Sequence, residues 1–199
     1  MREKALVAWS MYLSVPNRKI RTGIVLGLLV VAAAAAYWAF WRSQTPKRFG
    51  VVVPGRLYRS GEITPREMVH VAREFGVRTV LSLLNPAVPE SGVERAAAEA
   101  LGLRWVNVPL PGDGASTAAQ REQIKAILFN EHLEPLLVHC AAGANRTGLS
   151  IGMYRIHRQG WPLDQVLAEM REYGFEDLPK HENLRQALKM EWRIRASRE

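Results

Sequence analysis

The chain has 199 residues, enough for one domain of about 150 residues and a short additional segment. With 48% hydrophobic and 23% charged residues, its composition is that of a globular protein and excludes a disordered or fibrous chain. The formal net charge of +8 is spread along the sequence without a dense basic block beside aromatic residues, so nucleic acid is not an expected partner. This basic excess suits an acidic membrane surface or a phosphorylated substrate.

The first predicted element is an uncharged segment at residues 22–41. A helix of that length spans about 30 Å, the thickness of the hydrocarbon core of a bilayer. Aromatic rings cluster at its end, where they suit the lipid headgroups, at Tyr37, Trp38, Phe40 and Trp41. We therefore predict one transmembrane helix. A cleaved signal peptide is the alternative, which the length of the segment and of the region before it disfavours.

The basic residues around this segment predict its orientation. Five precede it and three follow it closely, which favours a cytoplasmic N-terminus and a main domain on the outer, periplasmic or extracytoplasmic side. The expected protein is thus a single-pass membrane protein with four parts. They are a basic N-terminal segment at 1–21, the transmembrane helix at 22–41, a tether at 42–49 and the main domain at 50–199.

The main domain alternates strand-like and helix-like segments. A helix is expected to begin at Thr64, where Thr64 and Glu67 form a capping box, and to end near Phe75. Strands are expected at 56–59, 78–84, 103–110 and 136–138. Further helices are expected from residue 91 and at 117–130, 146–158, 163–173 and 181–196. This alternation predicts an α/β fold with a central, mainly parallel sheet of four to five strands flanked by helices.

One predicted strand leads into a sequence that holds the only cysteine of the chain and reads His139-Cys140-Ala141-Ala142-Gly143-Ala144-Asn145-Arg146-Thr147-Gly148. A strand, a glycine-bearing loop and a helix form an arrangement that binds phosphate, because free backbone N–H groups and the helix dipole create a positive potential. The same potential favours the thiolate of Cys140, although a lone cysteine is also a common buried residue. Gly143 permits the backbone turn, and Arg146 can bind two phosphoryl oxygens through its planar guanidinium.

This sequence resembles the signature loop of the cysteine-based protein tyrosine and dual-specificity phosphatases. The stretch Tyr58-Arg59-Ser60 is similar to one near the domain start of the small bacterial members. The similarity covers residues 50–175. The resemblance implies a dual-specificity phosphatase-like fold and the hydrolysis of phosphomonoesters without a metal or another cofactor. Whether Arg59 makes a buried structural contact or binds substrate remains open from the sequence.

The resemblance also implies a role for each residue of the loop. Cys140 would attack phosphorus and form a phosphocysteine intermediate. Thr147 matches a hydroxyl that helps the sulfur leave in the second step, and His139 would orient the loop. The phosphoryl oxygens would be held by the Arg146 guanidinium and by the amides of Ala141, Ala142, Gly143, Ala144, Asn145 and Arg146.

Members of this family place a general acid, an aspartate, on a mobile loop before the cysteine. Of the three aspartates in this chain, Asp113 stands 27 residues ahead of Cys140 and lies between Gly112 and Gly114, which suit a mobile loop. Asp113 is therefore the expected acid, which would protonate the leaving group and then activate water. The alternative is a turn residue, a common role in a Pro-Gly-Asp-Gly sequence.

Phosphotyrosine or other phosphoproteins are the default substrates that the resemblance implies. A lipid or inositol phosphate is the alternative, since a membrane anchor would hold the site beside the bilayer. Members that act on phosphoinositides commonly carry lysines in the loop, whereas this chain has Ala141, Ala142, Ala144 and Asn145. A catalytically inactive phosphate-binding module is a third hypothesis. The sequence does not determine the oligomeric state.

Overall fold

The fold is taken from a computed structural model that describes residues 18–197. Most of the predicted basic N-terminal segment at 1–21 lies outside the described residues. The chain divides into two compact units, one ending at Ser43 and the other beginning at Gln44. The candidate site belongs to the second unit.

Helix α1 covers Arg18–Gln44 and is 27 residues long. No helix within the described part of the chain combines the length and the apolar character that crossing a membrane requires. The predicted transmembrane helix at 22–41 is therefore wrong, and so are the membrane localisation and the orientation that rest on it.

The second unit contains a five-stranded sheet in the order β1-β2-β5-β3-β4. Strand β1 runs antiparallel to β2, whereas β2, β5, β3 and β4 are parallel to their neighbours. The predicted α/β fold with a mainly parallel sheet is confirmed, but the edge strand β1 was not predicted. The strand bounds are Gly50–Val53, Leu57–Ser60, Thr79–Ser82, Arg104–Asn107 and Leu136–His139 for β1 to β5.

Six helices in the described residues of the second unit flank this sheet. The capping box expected at Thr64 is present at the start of α2, where the Thr64 hydroxyl accepts from the Glu67 N–H. Two short 3-10 helices, Glu131–Leu133 and Pro179–His181, join longer elements. The bounds of α2 to α7 are Pro65–Glu74, Pro89–Ala100, Ala118–Leu128, Asn145–Gln159, Leu163–Glu172 and Glu182–Ala196.

The sheet separates two hydrophobic clusters because neighbouring strand residues point to opposite faces. On one face Leu81 and Val138 pack in a cluster with residues of α5, whereas Val80 and Leu137 pack on the other with residues of α2. Strand β5 lies at the centre with parallel neighbours on both sides. The carboxyl ends of β2, β5 and β3 therefore meet at one edge, where ligands commonly bind in parallel sheets.

Candidate active site

The loop between β5 and α5 is held in a tight turn around the only cysteine. Gly143 has a φ of +74°, and a Cβ added there would lie 2.6 Å from the backbone nitrogen of Gly61. The loop therefore requires glycine at this position. The Gly143 N–H donates to Sγ of Cys140 at 3.2 Å, and Cys140 is only 1% exposed. The N-terminus of α5 follows directly, which adds positive potential next to the sulfur.

Three successive carbonyl groups of the loop accept hydrogen bonds from residues outside it. The Ala141 oxygen accepts from the backbone N–H of Glu62 at 3.1 Å. Arg48 donates to the Ala142 oxygen at 2.8 Å, and Arg59 donates to the Gly143 oxygen at 3.0 Å. In a trans peptide unit the C=O and the following N–H point in opposite directions. The N–H groups of residues 142–144 are therefore directed away from these donors.

Arg146 joins the loop to the neighbouring strand ends. Its Nη1 donates to the carbonyl oxygens of Leu83 at 3.1 Å and Leu110 at 3.3 Å. Arg146 and Cys140 both line a cleft of about 270 Å³. This cleft is lined by Arg48, Gly112, Cys140, Ala141, Ala142, Ala144, Asn145, Arg146, Gly174, Glu176, Lys180 and His181.

The cleft brings together most, but not all, of the residues that the sequence singled out. Asp113 is exposed, and its Oδ1 accepts from the Ala115 N–H at 3.0 Å, which is the geometry of a turn residue. Gly112 lines the cleft, whereas Asp113 is not among the lining residues. Thr147 is fully buried, and its hydroxyl donates to the Ser60 oxygen at 3.3 Å. Gly143 forms the back of the loop.

His139 is fully buried under the loop, where its Nε2 lies 2.9 Å from Oε1 of Glu94. The same oxygen accepts from Nε1 of Trp105 at 2.7 Å. Glu94 was not predicted from the sequence. It is a glutamate in an alanine-rich helix, and glutamates in such helices are usually exposed. In the described residues, we find no group of three or more His, Cys, Asp and Glu side chains that could hold a metal ion.

Basic residues on the rim of the cleft were also missed. Arg48 falls in the expected tether, Lys180 just before the last predicted helix and His181 at its start, yet all three line the cleft. His181 Nδ1 lies 2.6 Å from the carbonyl oxygen of Glu176, so Nδ1 carries a proton. His181 Nε2 then accepts from the Asn145 side-chain amide at 3.2 Å.

The fold and the cleft together define an α/β domain with a cysteine-containing loop at the carboxyl end of its central strand. The profile of a family described as "Tyrosine phosphatase family" matches residues 44–191. The chain therefore belongs to this family, which confirms the resemblance to the cysteine-based tyrosine phosphatases.

Relatives with curated descriptions and solved structures agree with this assignment. The chain is 33% identical over 121 residues to the "Dual specificity protein phosphatase TpbA" of Pseudomonas aeruginosa, covering 61% of this chain and 52% of TpbA. It is 27% identical over 132 residues to the "Inositol diphosphatase SIW14" of Saccharomyces cerevisiae, covering 65% and 46%. The crystal structure of P. aeruginosa TpbA superposes with a TM-score of 0.60 at 26% identity, covering 75% of this chain and 91% of that structure. The chain thus spans about half the length of the curated relatives it matches.

Proposed function

We propose that the chain is a metal-independent, cysteine-dependent phosphatase that hydrolyses phosphomonoesters through a phosphocysteine intermediate. One observation carries this proposal. The sulfur of Cys140 accepts the Gly143 N–H inside a loop in which three successive carbonyl groups accept from outside donors, next to the N-terminus of α5. Such an environment stabilises both a thiolate and a phosphoryl group.

The proposed reaction has two steps. The Cys140 thiolate attacks phosphorus, the bond to the leaving oxygen breaks, and Asp113 gives that oxygen a proton. Asp113 then takes a proton from water, which attacks phosphorus, breaks the P–S bond and releases inorganic phosphate. The loop amides and Arg146 hold the phosphoryl oxygens in both steps. His139, bonded to Glu94, orients the loop.

The roles of Asp113 as the acid and of Thr147 as the hydroxyl that helps the sulfur leave both require a movement of the side chain. Asp113 must leave its turn, and the neighbouring Gly112, which already lines the cleft, places it close enough for a loop movement to bring it over the substrate. Thr147 must rotate its hydroxyl away from Ser60 to assist the departing sulfur. Both roles are part of the proposal.

The proposed substrates are phosphotyrosine and other phosphorylated protein side chains. This class rests on the similarity to TpbA, whose description is that of a dual specificity protein phosphatase. A lipid substrate is not proposed, because it depended on a membrane anchor at 22–41, and no helix in the described residues could cross a membrane.

A second candidate class is an inositol phosphate with more than one phosphate group. Arg48 and Lys180 line the cleft beside Cys140, so the rim supplies cations that the loop itself lacks. SIW14, a relative at 27% identity, is described as an inositol diphosphatase. These cations would bind a second phosphate of such a substrate.

The direct test is hydrolysis of p-nitrophenyl phosphate by the full chain with a chelator present. We expect turnover by the natural sequence and none by Cys140→Ser, which should still bind vanadate. Full activity of Cys140→Ser would show that Cys140 is not the nucleophile. A panel of phosphotyrosine peptides and inositol polyphosphates then separates the two substrate classes by kcat/KM. If inositol polyphosphates are the substrates, Lys180→Met should lower kcat/KM for the polyphosphate relative to kcat/KM for the peptide by about tenfold, because one charged contact is lost.

A further inference from the structure

Arg59 is fully buried on β2, where it pairs in register with Val138 of the central strand β5. Its Nη2 donates to the Gly143 oxygen of the loop at 3.0 Å, and its guanidinium lies 3.6 Å from the centre of the Tyr173 ring. Within residues 18–197, its Nε and Nη1 atoms find no hydrogen-bond partner. A buried guanidinium with only one hydrogen bond is unusual, since buried charges are normally paired.

Other buried arginines of the domain do have carboxylate partners. Arg121 lies 2.9 Å from Glu191, and Arg155 lies 2.5 Å from Glu169. Burial lowers the pKa of Arg59 to about 10, and the nearby charges of Glu169, Tyr173 and Cys140 oppose that lowering. Arg59 therefore still carries its charge at neutral pH.

The groups whose charges oppose the lowered pKa of Arg59 are Glu169, Tyr173 and Cys140. Glu169 of α6 is bound to Arg155 of α5, and Tyr173 presents its ring face. On the other side of the loop, Cys140 shares the cleft with Arg146. The neighbouring His139 is bonded to Glu94, so that carboxylate is also engaged.

We propose that Arg59 is a positioning residue: it holds the Gly143 carbonyl outward and places a positive charge, shielded from water, behind the Cys140 thiolate. The inference rests on the proposed function, in which Cys140 is the nucleophile. It gives the Tyr-Arg-Ser stretch at 58–60 a role in the chemistry. Arg59 acts through the loop and does not touch the substrate.

Alkylation of the sulfur tests this role independently of turnover. Cys140 is the only cysteine, so the rate of reaction with iodoacetamide at different pH values reports on its thiolate alone. For Arg59→Met in the full chain, we expect the alkylation midpoint to rise by about one pH unit, because a nearby charge commonly has an effect of that size. At a pH below both alkylation midpoints, kcat/KM on p-nitrophenyl phosphate should fall about tenfold, in line with the smaller thiolate fraction.

Arg155→Met is the matched control. It removes another buried guanidinium that stacks on an aromatic ring, Trp161, but whose donors go to Glu169, Val52 and Gln159. It should lower the thermal midpoint and leave the alkylation midpoint unchanged. An unchanged alkylation midpoint in Arg59→Met, or an equal shift in both variants, would overturn the proposal.

Arg59→Lys keeps the test decisive if Arg59→Met does not fold. It retains the charge but not the planar donor group, so we expect a nearly unchanged alkylation midpoint and about tenfold weaker vanadate binding. Vanadate affinity equal to that of the natural sequence would contradict the positioning role. If the natural sequence hydrolyses no phosphomonoester, the proposed function fails, whereas the alkylation midpoints still decide the role of Arg59.

Discussion

The imidazole of His139 and the carboxylate of Glu94 are both buried and lie 2.9 Å apart, Nε2 to Oε1. This contact connects helix α3 with the residue that precedes Cys140, over 45 positions of sequence. Because Glu94 also accepts from Trp105 on β4, one carboxylate orients side chains from two strands. The base of the loop is thus fixed by a buried polar network, in which every lost partner is costly.

Glu94→Ala should destabilise the fold and slow turnover together. The buried His139 Nε2 and the half-buried Trp105 Nε1 would lose their acceptor, and each such loss costs about 1–3 kcal/mol. We expect urea unfolding to show a loss of about 2–4 kcal/mol and kcat on p-nitrophenyl phosphate to fall. Glu99→Ala is the control, since Glu99 lies on the same helix in an exposed pair with Arg95 and should change little. Equal stability of the two variants would refute the importance of the network.

Asp113→Asn should reduce turnover in a way that depends on the leaving group. If Asp113 protonates the leaving oxygen, its loss matters most for a poor leaving group such as an alkyl or phenyl phosphate. We expect kcat to fall about 100-fold there, and much less with p-nitrophenyl phosphate. A uniform loss across substrates would instead show that Asp113 only shapes its turn with Ala115.

Gly143→Ala should damage the loop beyond the strain of its backbone conformation. The added methyl would meet the Gly61 nitrogen at 2.6 Å, and backbone atoms cannot move aside easily. We expect weaker vanadate binding and loss of turnover. Gly55→Ala is a matched control, because Gly55 has a similar φ of +71° with open space around it. Gly55→Ala should lower the unfolding free energy by only the backbone strain of about 1–2 kcal/mol and leave turnover and vanadate binding unchanged. Normal vanadate binding by Gly143→Ala would contradict the close packing.

The sequence predicted what depends on local pattern. The capping box at Thr64 and the alternation of strands and helices are written in short stretches, and both are present. The loop pattern around Cys140 led to the correct family. Strand β1 at Gly50–Val53 was missed although it is as long as the other strands; it is ordered by its antiparallel pairing with β2, a contact that no local pattern gives.

Residues missed at the site share one physical cause, which is tertiary proximity. Arg48 reaches the Ala142 oxygen across 94 positions, and no spacing in the sequence announces such a contact. Glu94 resembled any surface glutamate of a helix until its burial was known. The membrane prediction rested on the length of the uncharged segment at 22–41 and on the aromatic rings at its end, yet no helix in the described residues has both the length and the apolar character of a membrane span.

Glu191 provides a prediction about pH. It is 1% exposed on α7 and lies 2.6 Å from Lys125 Nζ, 2.9 Å from Arg121 Nε and 2.9 Å from His157 Nε2. Burial alone would raise the pKa of Glu191, but the hydrogen bonds from Lys125, His157 and Arg121 outweigh it and hold this pKa below its usual value. A depressed folded-state pKa means that the unfolded chain binds the proton more readily.

The stabilising contribution of Glu191 is therefore present above its unfolded pKa of about 4.3 and is lost as the pH falls through its lower folded-state pKa. Glu191→Gln leaves two buried cations with a neutral partner, so we expect a loss of about 3 kcal/mol in unfolding free energy at pH 7. The difference in unfolding free energy between Glu191→Gln and the natural sequence should narrow as the pH falls below about 4, because the Glu191 carboxyl group is then protonated and neutral, like the glutamine. Glu122→Gln removes the exposed second partner of Lys125 and should cost little at any pH. Urea unfolding of the three proteins between neutral and acidic pH measures both effects, and a gap that stays constant across this range would show that the Glu191 carboxylate is not held ionised by its neighbours.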